Sequence, residues 1–113
     1  MKSAAPGAAV EIKMDLEQKQ REDARWRILR ILDSGRPVGV NEDVIARVLR
    51  DVKLPLTLQG VRRELTYLRD HNLAELEGED SETWAAKLTA HGVDVVEYTV
   101  PAPAGIARPR KYW

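Results

Sequence analysis

Apolar residues recur at helical spacing as far as Leu68 and at alternate positions from Leu73 onward. The change of period, from 3.6 to 2, predicts helices followed by strands. No Gly or Pro interrupts residues 15–32, where Ala24, Ile28, Ile31 and Leu32 share one helical face that Trp26 and Leu29 widen. Glu17 and Arg21 add an i,i+4 ion pair, and Gly35 and Pro37 stop this first helix. Residues 1–13 are rich in Ala, Gly and Pro without period and read as a flexible arm.

"GRPVGV" is a connector that can be extended at Val38–Val40. Asn41 then has the character of an N-cap, with Glu42 and Asp43 in the first turn, where acids suit the helix dipole. Val44, Ile45, Val48 and Leu49 form the apolar face of this second helix, and Pro55 disfavours helix at Leu54. Thr57 can cap a third helix whose buried stripe is Val61, Leu65 and Leu68, extended by Leu58. Asn72 is suited to a left-handed stop.

Beyond it, "LAELEGE" alternates as a strand does, "GEDSE" is a turn, and "TWAAKLT" can return as a second strand with Trp84 packed on the core or hairpin. "VDVVEYTV" fits a last helix through Val93, Val96 and Val100, or a strand through its β-branched content. Pro101, Pro103, Gly105 and Pro109 mark an extended tail. The expected fold class is therefore mostly α with a small β-hairpin: three helices, two strands and a short C-terminal element. The domain spans residues 14–100, between the arm of 1–13 and a basic, aromatic tail of 101–113.

Length and composition narrow the function. The 113 residues suit one domain, and 43% apolar content supplies one modest core. No apolar run of membrane-spanning or signal-peptide type occurs, so a cytoplasmic protein is expected. The absence of cysteine excludes disulfides and thiolate sites. His71 and His91 are far apart in sequence, and "EGEDSE" does not have EF-hand spacing, so no metal is expected. There is no Gly-rich phosphate loop and no Ser beside a plausible base, so neither enzymatic activity nor a cofactor is expected.

The net charge is zero, but it is distributed unevenly. Residues 21–72 carry eleven bases and eight acids, residues 73–97 one base and seven acids, and residues 98–113 three bases and no acid. A mildly basic helical part is thus followed by an acidic hairpin and a basic tail.

Against this layout, "LTLQGVRRELTYLRDHNLAELEG" resembles the recognition-helix pattern of small bacterial winged-helix regulators. There, a capped start leads through VRRxLxxLxxxGL into the first strand of the wing. "WAAKLTAHG" is similar to the returning strand and following turn, xLTxxG, of the MarR, PadR and ArsR-like groups. The resemblance covers Arg21 to Glu97. The whole-chain layout and the "RPRKYW" ending also resemble a small protein carried by Mu-like phages.

The resemblance implies a winged helix-turn-helix domain whose third helix enters the major groove of double-stranded DNA. It would act as a transcription regulator, working as a homodimer through the first helix and residues 93–100. With Val61, Leu65 and Leu68 buried, the residues facing DNA would be Thr57, Gln59, Arg62, Arg63, Thr66 and Arg69. Arg and Gln can make bidentate contacts to guanine and adenine edges, and Thr57 can cap the helix or meet a phosphate. Ordinary helix-surface pairing remains open, with Glu64 and Asp70 as partners for neighbouring arginines. Arg21, Arg25, Arg27 and Arg30 read as a solvated face or dimer contact.

The hairpin departs from the family. Its Glu75, Glu77, Glu79, Asp80 and Glu82 stand where DNA-binding wings usually carry bases, and carboxylates repel phosphate. An alternative is therefore a winged-helix protein-interaction module, acting in phage assembly or host takeover. It would dock through Glu77, Glu79, Asp80 and Glu82, and through Arg108, Arg110, Lys111 and Trp113 of the tail.

Overall fold

A computed structural model describes residues 6–113 and places them in four helices and three short strands. The elements run α1 (Pro6–Ser34), β1 (Val40–Asn41), α2 (Glu42–Asp51), α3 (Leu58–Asp70), β2 (Ala74–Glu77), β3 (Ala85–Leu88) and α4 (Ala90–Val96). The protein is mostly helical with one antiparallel sheet of order β1-β3-β2. The sheet has one strand more than the expected hairpin. Val40 pairs with Ala86 and Asn41 with Ala85, so the connector supplies a third strand.

α1 begins earlier than the composition suggests. Residues 6–13 of the expected arm are helical, with Pro6 at the first position, where a missing N–H costs nothing. Residues 1–5 of that arm lie outside the described residues. The 29 residues of α1 span about 44 Å at 1.5 Å per residue. Among the residues whose side chains are described, burial in α1 begins at Arg21. Residues 12–20 are all exposed, including Ile12, Met14 and Leu16.

The core is the meeting of three helical stripes over the sheet. Ile28, Leu29 and Leu32 of α1, Ile45 and Leu49 of α2, and Val61, Leu65 and Leu68 of α3 are fully buried. Leu73, Ala86 and Val95 close it from the hairpin and α4. The caps form as their side chains dictate. Asn41 Oδ1 accepts from Val44 N, and Thr57 Oγ1 from Gly60 N.

Three helices end in the same way. Beyond each of α2, α3 and α4 one residue turns left-handed: Lys53 (φ 66°), Asn72 (φ 62°) and Tyr98 (φ 64°). In each case the next N–H reaches back to the helix, as from Leu73 to the Leu68 carbonyl at 2.8 Å and from Leu54 to the Leu49 carbonyl at 2.9 Å. These are Schellman ends with a residue other than glycine at the left-handed position. Gly92 in α4 meets a different need. A Cβ there would collide with the Leu73 carbonyl oxygen, so only glycine lets α4 start against the end of α3.

The tail has no regular secondary structure, but it does not hang free. Ile106 is buried, Ala107 N donates to the Glu22 carbonyl, and Tyr98 Oη donates to the Pro109 carbonyl. Arg108 donates to the carbonyls of Val95 and Val100 at 2.9 Å each. Residues 101–113 thus strap α4 to α1. Ile106→Val is expected to lower stability by about 1 kcal/mol, measured by denaturant unfolding. An unchanged midpoint would show that the strap adds nothing.

Candidate nucleic-acid interface

α3 is held by a buried stripe of Val61, Glu64, Leu65 and Leu68. At 100° per residue the opposite side carries Gln59, Arg63, Thr66 and Asp70. Arg62 and Arg69 lie on the flank toward α2 and the hairpin. The six residues expected to face DNA therefore do not form one surface.

Arg62 belongs to the scaffold. Its Nε donates to Glu42 Oε1 at 2.6 Å and its Nη2 to Glu42 Oε2 at 2.8 Å, a bidentate clamp from α3 to the first residue of α2. The same Nη2 donates to the Glu82 carbonyl, and the guanidinium lies 5.0 Å from the centre of the Trp84 ring. Glu42 is 1% exposed. Besides the clamp, its carboxylate accepts the Trp84 N–H and its own N–H donates to the Trp84 carbonyl. One carboxylate thus ties α2, α3 and the start of β3 together. The Arg62 hydrogen bonds hold the Glu42 carboxyl below its ordinary value of 4.5, against an opposing push from burial, with the Trp84 N–H adding to the lowering. As a first-turn acid, Glu42 was expected only to suit the helix dipole. Its larger role is tertiary and depends on which flank of α3 faces α2.

Arg69 is held less firmly. Nη1 meets Glu79 Oε2 at 2.7 Å and Nε meets Asp70 Oδ1 at 3.3 Å, with all three side chains well exposed. The contact brings the hairpin loop against the flank of α3, so the acids are beside the helix that was to read DNA. Gly78 (φ 77°) turns the loop, and Ser81 fixes it by donating to the Gly78 carbonyl. Glu75, Glu77, Asp80 and Glu82 are exposed and make no ion pair among the described residues.

The remaining candidates stay outward. Gln59 and Arg63 are exposed. Thr66 Oγ1 donates to the Arg62 carbonyl one turn back and keeps its acceptor lone pairs. Thr57 is occupied as the cap of α3.

The arginines of α1 are not a uniform solvated face. Glu64, fully buried, accepts from Arg25 Nε at 2.7 Å and Arg21 Nε at 2.9 Å, with Arg63 Nε at 3.4 Å. Arg25 is itself buried, donates to the Gly105 carbonyl and lies 3.7 Å from the Tyr67 ring centre. Arg27 and Arg30 are exposed as expected.

Of the alternative docking set, Glu77, Glu79, Asp80 and Glu82 are exposed on the hairpin and its loop, and Arg110, Lys111 and Trp113 are exposed on the tail. Arg108 is directed inward, as described, which removes it from any docking surface. Trp113 packs edge-on against Tyr98 at 4.8 Å.

No helix among the described residues is long and apolar enough to cross a membrane. Comparison with protein-family models, with curated proteins and with solved structures gives no match.

Proposed function

We propose that the chain is a winged-helix protein that binds double-stranded DNA through the outward face of α3 and acts as a transcription regulator. The observation that carries the reading is the stripe of Gln59, Arg63 and Thr66 on the side of α3 away from the core, where Arg63 is exposed and has Glu64 as an acidic neighbour at 3.4 Å. The order of helix, strand, two helices and hairpin, with the early strand added to the hairpin, fits a winged helix. Gln and Arg on such a helix can read adenine and guanine edges. Arg62 is not a reader in this account, and Arg69 becomes one only by leaving Glu79.

With so few free cations on the face, two copies are needed to cover enough DNA. Ile12 and Leu16, exposed one turn apart on one face of α1, supply an apolar contact between copies.

A second reading, a protein-interaction module, is favoured by one observation: Glu79 of the acidic hairpin loop pairs with Arg69 on the flank of α3. Neutralising Glu79, Asp80 and Glu82 together (E79Q, D80N, E82Q) separates the two. For a DNA reader, duplex binding should strengthen, most at low salt, because repulsion of phosphate is removed and Arg69 is released. Fluorescence anisotropy with labelled duplex at two salt concentrations measures it. Weaker or unchanged DNA binding would favour the interaction module.

A further inference from the structure

Four of the chain's six Trp and Tyr rings lie in one run. Trp26 is buried on α1 and meets Tyr98 edge-on at 6.1 Å. Tyr98 meets Trp113 edge-on at 4.8 Å, and Trp113 meets Tyr112 edge-on at 5.3 Å. The run therefore starts in the core and ends in solvent, where Trp113 is 68% and Tyr112 90% exposed. Cations accompany three of the rings. Arg30 lies 5.8 Å from the centre of Trp26, Arg108 4.3 Å from Tyr98 and Lys111 5.6 Å from Trp113.

Beside the run is a hollow of about 320 Å³ between α1 and the tail. Trp26, Arg27 and Arg30 line it from α1 and Ala107 and Pro109 from the tail, with Asp23 contributing an acid. Arg110 and Lys111 follow directly and are exposed. Arg27, Arg30, Arg110 and Lys111 form no ion pair among the described residues. Even with Glu97 beside Tyr98 in the chain, these four bases stand against two acids.

Tyr98 adds an independent observation. It holds the left-handed position after α4 at φ 64°, where glycine is the unstrained choice. Its ring carries Trp113, and its hydroxyl donates to the Pro109 carbonyl at 2.7 Å. A strained residue that fixes an exposed aromatic group is a candidate for function.

We propose that this patch binds single-stranded nucleic acid. The open faces of Trp113 and Tyr112 stack on bases, and Arg27, Arg30, Arg110 and Lys111 meet phosphates. Bases within a duplex are stacked on one another, and only a single strand offers their faces. Aromatic rings beside a positively charged track hold such a strand without reading its sequence. The rings are already fixed edge-on, so little side-chain freedom is lost on binding. The patch lies on α1 and the tail and does not depend on whether α3 reads duplex DNA.

The test is fluorescence anisotropy of the full chain with labelled oligothymidine and oligouridine of roughly twelve nucleotides at low salt. Both should bind, with dissociation constants on the order of 10 micromolar, since neither contact needs the 2′-hydroxyl. Their ratio distinguishes DNA from RNA. Trp113→Ala and Tyr112→Ala should each weaken binding roughly tenfold, the scale of one base stacked on one ring, and Trp113→Phe should restore most of it. Arg110→Gln combined with Lys111→Gln should weaken binding and flatten its salt dependence. Gln59→Ala combined with Arg63→Ala should leave it unchanged, which separates this site from α3. Thermal melts verify that the variants stay folded. No binding of either oligonucleotide, wild-type binding by both ring variants, or loss of binding in the Gln59, Arg63 variant would each overturn the assignment. So would ring-dependent binding of phosphatidylserine vesicles without oligonucleotide binding, which would make the patch a lipid-surface contact.

Discussion

Arg62→Ala is expected to lower the melting temperature by roughly 10 °C, the scale for removing one partner of a buried charge pair from a domain of this size. The loss arises at Glu42. Without the guanidinium, a carboxylate that is 1% exposed keeps only the Trp84 N–H as a partner. The pH dependence identifies the cause. In the wild type the Glu42 carboxyl is lowered from 4.5, chiefly by the Arg62 hydrogen bonds. A group lowered on folding stabilises fully above its unfolded value, and that contribution is lost as pH falls through the lower folded value. In the variant burial dominates and the carboxyl protonates more readily. The gap between the two proteins should therefore begin to narrow as the pH falls toward 4.5, where the variant's carboxyl protonates, and narrow further below it as the wild type loses its gain. Adding Glu42→Gln to Arg62→Ala should recover part of the loss near neutral pH, because the amide still accepts the Trp84 N–H without burying a charge. Thermal melts of the three proteins between neutral and acid pH measure this. A gap independent of pH would show that Glu42 is not the source.

Much of the scaffold was legible in the sequence because local chemistry decides it. Asn41 and Thr57 cap because their side chains reach the next turn's N–H groups, and Asn72 tolerates the left-handed stop. The buried stripe of α3 follows from period alone, as does the hairpin from Leu73 onward. The short β1 strand was less legible, since two residues carry no period and their pairing with β3 is set by the fold. The tail is extended as expected, but its packing was not legible for a similar reason. Its prolines forbid regular structure, but Ile106 and Arg108 find partners on α4 and α1 that no local pattern announces.

The candidate interface was legible only as a list of outward residues. A helical wheel separates buried from exposed, but it does not say which flank faces which neighbour. Arg62 and Arg63 are adjacent in sequence and equally basic, yet one clamps Glu42 and the other remains on the surface. The same limit hid Glu64. It falls within the apolar stripe of α3, and its burial becomes affordable only because α1 delivers Arg21 and Arg25 to it.

The claim that Gln59 and Arg63 read DNA is tested most directly by selecting duplexes from a random library with the wild-type chain and then measuring binding of the Gln59→Ala, Arg63→Ala double variant. Both side chains are exposed, so the variant should keep its fold, as circular dichroism can verify. The account predicts that the wild type enriches a defined site and that the double variant binds it about a hundredfold more weakly, the sum of two base contacts each in the range of roughly 1–3 kcal/mol. Failure of the wild type to enrich any sequence, or equal binding by the double variant, would contradict it.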